Sequence, residues 1–316
     1  MGEDNSNGSA TGQLRGGWHE LDIDGVNVAF EVRGAGPIVV VHSGGPGMSA
    51  TYMRMPEVER FATVVYLDPV ATGRSGQIPD GDYSEQAYAR IAAEVIRTLP
   101  GERAVFLGHS HGGMVALQLA VDHPEVLHGV IVYEGRATDI GLVEDATDRV
   151  DAFVRRFPGD ADAEDARAAW GDAVAMEDPS STDDVLTDPR TVRQRLLPVY
   201  LGDFRRRADV MERLKEVESF IDPNRQPGAA WDLRSALPEV DVPVAVFVGR
   251  YDFICGPRAA AEIWQDVPGA ELVTFAESGH FPHLEEPNAF TIAVQRFVTA
   301  HHHSKASSGR TATASR

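Results

Sequence analysis

Internal disulfide bonding is impossible for this chain, because its 316 residues include one cysteine, Cys255. That also rules out a secreted disulfide scaffold. Basic residues are scarce: 29 Lys and Arg face 48 Asp and Glu, for a formal net charge of −19. A balance of this sign argues against nucleic acid or an anionic membrane as partner. No apolar run approaches the length of a membrane span. Residues 1–17 are rich in Gly, Ser and Asn and have no apolar centre. They are expected to be disordered, with no signal peptide or anchor, in a cytoplasmic protein. Residues 301–316 open with His301-His302-His303 and continue in Ser, Thr and Ala, which reads as a disordered tail outside the chemistry. No internal repeat is visible.

What is present is a chain 43% hydrophobic and 24% charged, sufficient for one large core. Val26-Asn27-Val28-Ala29-Phe30-Glu31-Val32 alternates like a half-buried strand. Ile38-Val39-Val40-Val41 is a continuous β-branched run, the mark of a strand covered on both faces. The same signature returns at 64–67, 104–107, 130–133, 244–248 and 272–275. Helices are predicted over 85–99, 113–122, 258–267 and 289–299. Alternating strands and helices predict an α/β architecture with a mostly parallel, doubly wound sheet.

The alternation stops between 136 and 237. Apolar residues there recur at helical spacing, at Ala146, Val150, Phe153, Val154 and Phe157, then at Val210, Leu214, Val217 and Ile221. Acidic, Pro- and Ser-containing connectors separate them. So long a stretch is no loop. It reads as a helical cap, residues 136–237, inserted between core segments 18–135 and 238–300 and lying over the strand ends where ligands bind.

Gly108-His109-Ser110-His111-Gly112 sits between an apolar strand and a helix former. A strand, a sharp turn with Ser at its apex, and a helix is the context in which G-x-S-x-G exposes a nucleophilic hydroxyl. A serine needs a base, and the base an orienting acid. Asp252 follows a buried strand and His280 lies in a loop after the last one, in the order nucleophile, acid, histidine. After the third strand comes Val41-His42-Ser43-Gly44-Gly45-Pro46-Gly47. A backbone N–H there, of Gly45 or its neighbour Gly44, would join that of His111 to hold an oxyanion.

Together with Gly44-Gly45-Pro46-Gly47-Met48-Ser49, Leu67-Asp68-Pro69-Val70-Ala71-Thr72-Gly73-Arg74-Ser75 and Val248-Gly249-Arg250-Tyr251-Asp252, these motifs resemble the prolyl aminopeptidase branch of the α/β-hydrolases. The resemblance spans about residues 18–300. It implies the α/β-hydrolase fold, a serine nucleophile and a capped pocket. Departures bear on substrate. The His of the family's H-G-G-P-G is Ser43 here, and the aromatic residue after the nucleophile is His111. A carboxylate that captures the substrate amine would follow the triad acid, where this chain has Phe253. A second, in the cap, aligns with Arg225. Glu134, just past a core strand, is a further candidate acid or amine ligand; the acids Glu177 and Asp222 are others.

The function expected is hydrolysis of a small ester, lactone or amide, of the kind secondary metabolism supplies. Ser110 would be nucleophile, His280 general base and acid, and Asp252 its partner, with no metal and no cofactor. Prolyl aminopeptidase activity is the first alternative. A non-hydrolytic lyase, cyclase or small-molecule receptor on the same fold is the second. The partner is a small molecule, and the sequence leaves the oligomeric state open.

Overall fold

The computed structural model describes residues 14–177, 188–220, 222–226 and 230–302. The expected disordered ends, apart from residues 14–17 and 301–302, lie outside them. So do Ile221 and the connector 178–187.

Eight strands form one sheet in the order β1-β2-β4-β3-β5-β6-β7-β8. β1 (Gly17–Ile23), β2 (Val26–Gly34) and β4 (Thr63–Leu67) pair antiparallel in turn. All other pairs are parallel: β3 (Ile38–His42) with β4 and with β5 (Ala104–His109), β5 with β6 (Leu127–Tyr133), β6 with β7 (Val244–Gly249), and β7 with β8 (Glu271–Phe275). The central strands are apolar throughout because both their faces are covered. Successive side chains of β3 serve opposite layers. Val40 packs under α1 (Glu85–Thr98) and α2 (His111–Asp122), with Phe106, Val115 and Ile96. Val39 and Val41 face the other layer, with Phe290 and Val294 of α9 (Pro287–His301). α7 (Pro257–Asp266) adds Ile263 to the first layer. The short α8 (Pro282–Glu285) precedes α9.

β1 was not among the predicted strands. Its residues alternate between exposed and half-buried, but the inward set is Gly17, His19, Leu21 and Ile23, only two of them aliphatic. An edge strand of this composition gives little period-two signal.

Among the described residues between β6 and β7 are the α-helices α3 (Leu142–Arg156), α4 (Ala161–Glu177), α5 (Pro189–Tyr200) and α6 (Ala208–Lys215). The two apolar stripes read from sequence are buried here, at Ala146, Val150, Phe153, Val154 and Phe157 and at Val210, Leu214 and Val217. They join the layer under Val39 and Val41. The two ends of the insertion are laced together: Leu233 N–H donates to Ala137 O at 2.8 Å and Asp139 N–H to Trp231 O at 3.0 Å. Among the described residues no helix is long and apolar enough to cross a membrane.

Candidate active site

Ser110 stands between β5 and α2 with φ 56° and ψ −119°. A non-glycine residue in that region is strained and persists only when its surroundings hold it. They do. Ser110 N–H donates to Tyr133 O at 2.8 Å and Ser110 O accepts from Gly113 N–H at 2.8 Å. The flanking glycines are demanded by contact, since a Cβ on Gly108 would fall 1.8 Å from Gly112 O. One on Gly112 would fall 2.6 Å from His42 O.

His280 and Asp252 reach the same place from the far side of the sheet. The His280 Nδ1 to Asp252 Oδ1 separation is 3.1 Å. The ring N–H is not aimed at that oxygen, so in this geometry the contact is mainly electrostatic. His280 is anchored through its backbone, N–H to Tyr200 O at 2.6 Å. Asp252 is fully buried, and its oxygens accept from Ile254 N–H at 2.9 Å and Cys255 N–H at 3.1 Å. Burial alone would raise this carboxyl, but the His280 ring and the hydrogen bonds outweigh it and hold Asp252 below the usual carboxylate range.

Glu134, also buried and at φ 49°, accepts from Gly249 N–H at 2.6 Å through Oε1. Burial, then the charge of Asp252, pushes its carboxyl well above the ordinary value. The two carboxyls are therefore pushed apart, Glu134 toward the protonated form and Asp252 toward the ionised one. Glu134, Asp252 and His280 each bring an atom within 4.8 Å of the others, the spacing of a metal site. The Asp252 oxygens and Glu134 Oε1 accept from backbone amides, whereas Glu134 Oε2 has no hydrogen-bond partner among the described residues.

Ser110 and His280 line one cavity of about 330 Å³ with Gly45, Pro46, Met48, His109, Leu197, Tyr200, Leu214 and Phe281. No hydrogen bond joins Ser110 Oγ to His280 in this structure, as is common before a substrate tightens the site. The N–H groups of Gly45 and His111 have no acceptor among the described residues. Gly44 differs: its N–H donates to the Tyr52 hydroxyl at 2.7 Å, so its amide is already committed.

The remaining expected pocket residues scatter. Ser43 Oγ donates to Met48 O at 2.7 Å and braces the loop. Phe253 is buried behind Tyr200, with ring centroids 4.8 Å apart. Arg225 is not brought to the Ser110 cavity; it lines a different one with Tyr83, Glu85 and Asp139 and donates to Tyr83 O. Asp222 accepts from the Tyr83 hydroxyl at 2.5 Å, and the Glu177 side chain lies outside the described residues.

Sequence reasoning missed several residues. His109 is buried between the Tyr52 hydroxyl at 2.7 Å and His280 O at 2.9 Å. Arg190 and Arg193 also line the cavity. Their signal was present: Arg190, Arg193, Leu197 and Tyr200 recur at helical spacing along one face of α5.

Glu285 is another. It ties the His280 loop to the insertion by accepting from Gly202 N–H at 2.7 Å, Gly279 N–H at 2.9 Å and Phe281 N–H at 3.3 Å. Burial pushes its carboxyl up to about 7, against the pull of those three donors. Between about 4.5 and about 7 the folded chain thus holds a proton that the unfolded chain has released. This group's contribution to stability is fullest below that window and declines as pH rises through it. Urea unfolding on either side of the window should show wild type losing up to about 3 kcal/mol relative to Glu285→Gln as pH rises. A pH-independent difference would refute the assignment.

Residues 37–287 match a family described as alpha/beta hydrolase fold. A proline iminopeptidase of Saccharolobus solfataricus is 25% identical over 290 residues, covering 87% of this chain and 90% of the relative. A 2-hydroxymuconate semialdehyde hydrolase of Pseudomonas is 24% identical over 288 residues, covering 88% and 93%. The solved structure of an enol-lactonase from Burkholderia xenovorans superposes with a TM-score of 0.65 at 21% identity, covering 89% of this chain and all of that one.

Proposed function

The chain belongs to the alpha/beta hydrolase fold family, and from that premise we propose that it is a serine hydrolase acting on a small ester, lactone or amide through an acyl-enzyme. The observation that carries this reading is convergence. A strained serine between strand and helix shares one cavity with a histidine whose Nδ1 is 3.1 Å from a buried carboxylate.

Ser110 Oγ attacks the acyl carbonyl while its proton passes to His280 Nε2. Negative charge moves to the carbonyl oxygen, where the N–H groups of Gly45 and His111 stabilise it. The leaving group takes the proton back from His280 as the scissile bond breaks. Water, deprotonated by the same ring, then releases the acyl group from Ser110. The inserted helices supply Leu197, Tyr200 and Leu214 to the cavity, so they act as the substrate-selecting cap, over residues 136–237.

Prolyl aminopeptidase activity is the reading favoured by the likeness to the proline iminopeptidase. Against it, the residue after Asp252 is buried Phe253 and the cavity presents two arginines. A desolvated ammonium without a carboxylate partner is costly. Neutral p-nitrophenyl acyl esters should be turned over, and prolyl or alanyl amides poorly. If the free-amine amide is the better substrate and loses its advantage on N-acetylation, the peptidase reading replaces this one.

A further inference from the structure

Arg193 is an unusual arginine. It sits on α5, half-buried, and donates one N–H from Nη2 to Val217 O at 2.9 Å. Its Nε and Nη1 atoms are shielded from solvent and have no hydrogen-bond partner. No carboxylate of the described residues forms an ion pair with it or with Arg190 one turn earlier. Glu216 and Glu218 line an adjoining cavity with both arginines but are exposed and make no such pair. Elsewhere in the chain partners are common: Arg195, two residues on, pairs with Asp165 at 2.8 Å and Asp172 at 2.7 Å. The cavity that holds Ser110 is lined by both cations and by no acid, while the two glutamates line only the adjoining one.

Their setting says what they face. Both line the cavity that holds Ser110 and His280, whose other walls include Leu197, Leu214, Met48 and Phe281. The space has a reactive hydroxyl, apolar walls and a cationic patch. We propose that this cavity selects acyl substrates carrying an anionic group, a carboxylate on a short chain, with Arg193 as the residue that binds it and Arg190 reinforcing it. This rests on the serine hydrolase reading above and specifies its substrate class. Burial and the nearby Arg190 lower the affinity of the Arg193 guanidinium for its proton, and an incoming carboxylate relieves both. A guanidinium also offers a planar fork that meets a carboxylate with two parallel hydrogen bonds. The cavity, about 330 Å³, falls at the small end of the roughly 300–1,000 Å³ of small-molecule sites.

The test compares two esters of equal chain length, the p-nitrophenyl hemiester of glutaric acid and neutral p-nitrophenyl valerate. In wild type the hemiester should have the higher kcat/KM, by about 10- to 100-fold, the range of a charge-assisted hydrogen bond to a buried cation. In Arg193→Gln the ratio between the two esters should collapse toward one, and Arg193→Lys should restore part of it. The ratio within each variant cancels any general loss of fold or of acylation rate. If valerate is hydrolysed as well as the hemiester by wild type, or if Arg193→Gln keeps the preference, the anion site is wrong while the hydrolase reading stands. If neither ester is hydrolysed, both readings fall.

Discussion

Replacement of Ser110 by Ala is expected to cut kcat on acyl esters by on the order of 10⁶, the cost of removing a nucleophile from a triad that works as a unit. Stability should stay near that of wild type, because Oγ makes no hydrogen bond among the described residues and the backbone is held by Tyr133 O and Gly113 N–H. A fluorophosphonate probe should label wild type and not the variant. Equal labelling of both proteins would place the nucleophile elsewhere. Loss of activity together with loss of the cooperative unfolding transition would show that the hydroxyl was structural.

The second large effect separates two buried acids. Asp252→Asn should lower kcat by on the order of 10⁴, because the amide leaves the histidine in the wrong tautomer and leaves the imidazolium unsupported. Glu134→Gln should cost less than about tenfold. Glu134 accepts from Gly249 N–H through Oε1, its Oε2 has no hydrogen-bond partner among the described residues, and its carboxyl is pushed toward the neutral form. Glutamine keeps a carbonyl oxygen for Gly249 N–H and, like a neutral carboxyl, adds no charge beside Asp252. If the Glu134 change were the more damaging, the roles of the two carboxyls would have to be exchanged.

How much of this could be read from the chain depends on where the information resides. The covered strands are legible because Ile38-Val39-Val40-Val41 and its counterparts are apolar on both faces, a pattern that owes nothing to distant partners. The turn around Ser110 is legible because Gly108 and Gly112 answer local steric demands. Asp252 and His280 could be located by their places after strands, although only the fold brings them within 3.1 Å. Substrate contacts were not legible in the same way. Arg225 was chosen by alignment through a region where helices carry little positional information, and it lies in another cavity. Arg193 matters because of what is not near it, and a missing partner leaves no mark on a linear sequence. Glu285 reaches Gly202 N–H, and His109 reaches the Tyr52 hydroxyl and His280 O, on remote segments that are invisible before folding.

The laced ends of the insertion bear on how the molecule assembles. Tyr133 and Phe247 are partners on adjacent strands, yet bringing them together closes a loop of more than a hundred residues, an entropic cost of about 4 kcal/mol. The sheet up to Tyr133 needs no such closure and contains Ser110 and both free amides. The segment from Val244 onward contains Asp252 and His280. Once the insertion has folded and its ends have met at Ala137 and Leu233, β7 is delivered beside β6 and most of that cost has already been met. The pairings in the half that carries Ser110, such as Val39 with Val105, span shorter loops than that of Tyr133 with Phe247, which favours their earlier formation in refolding. Asp252 and His280, on the segment after β7, lie beyond that longer closure.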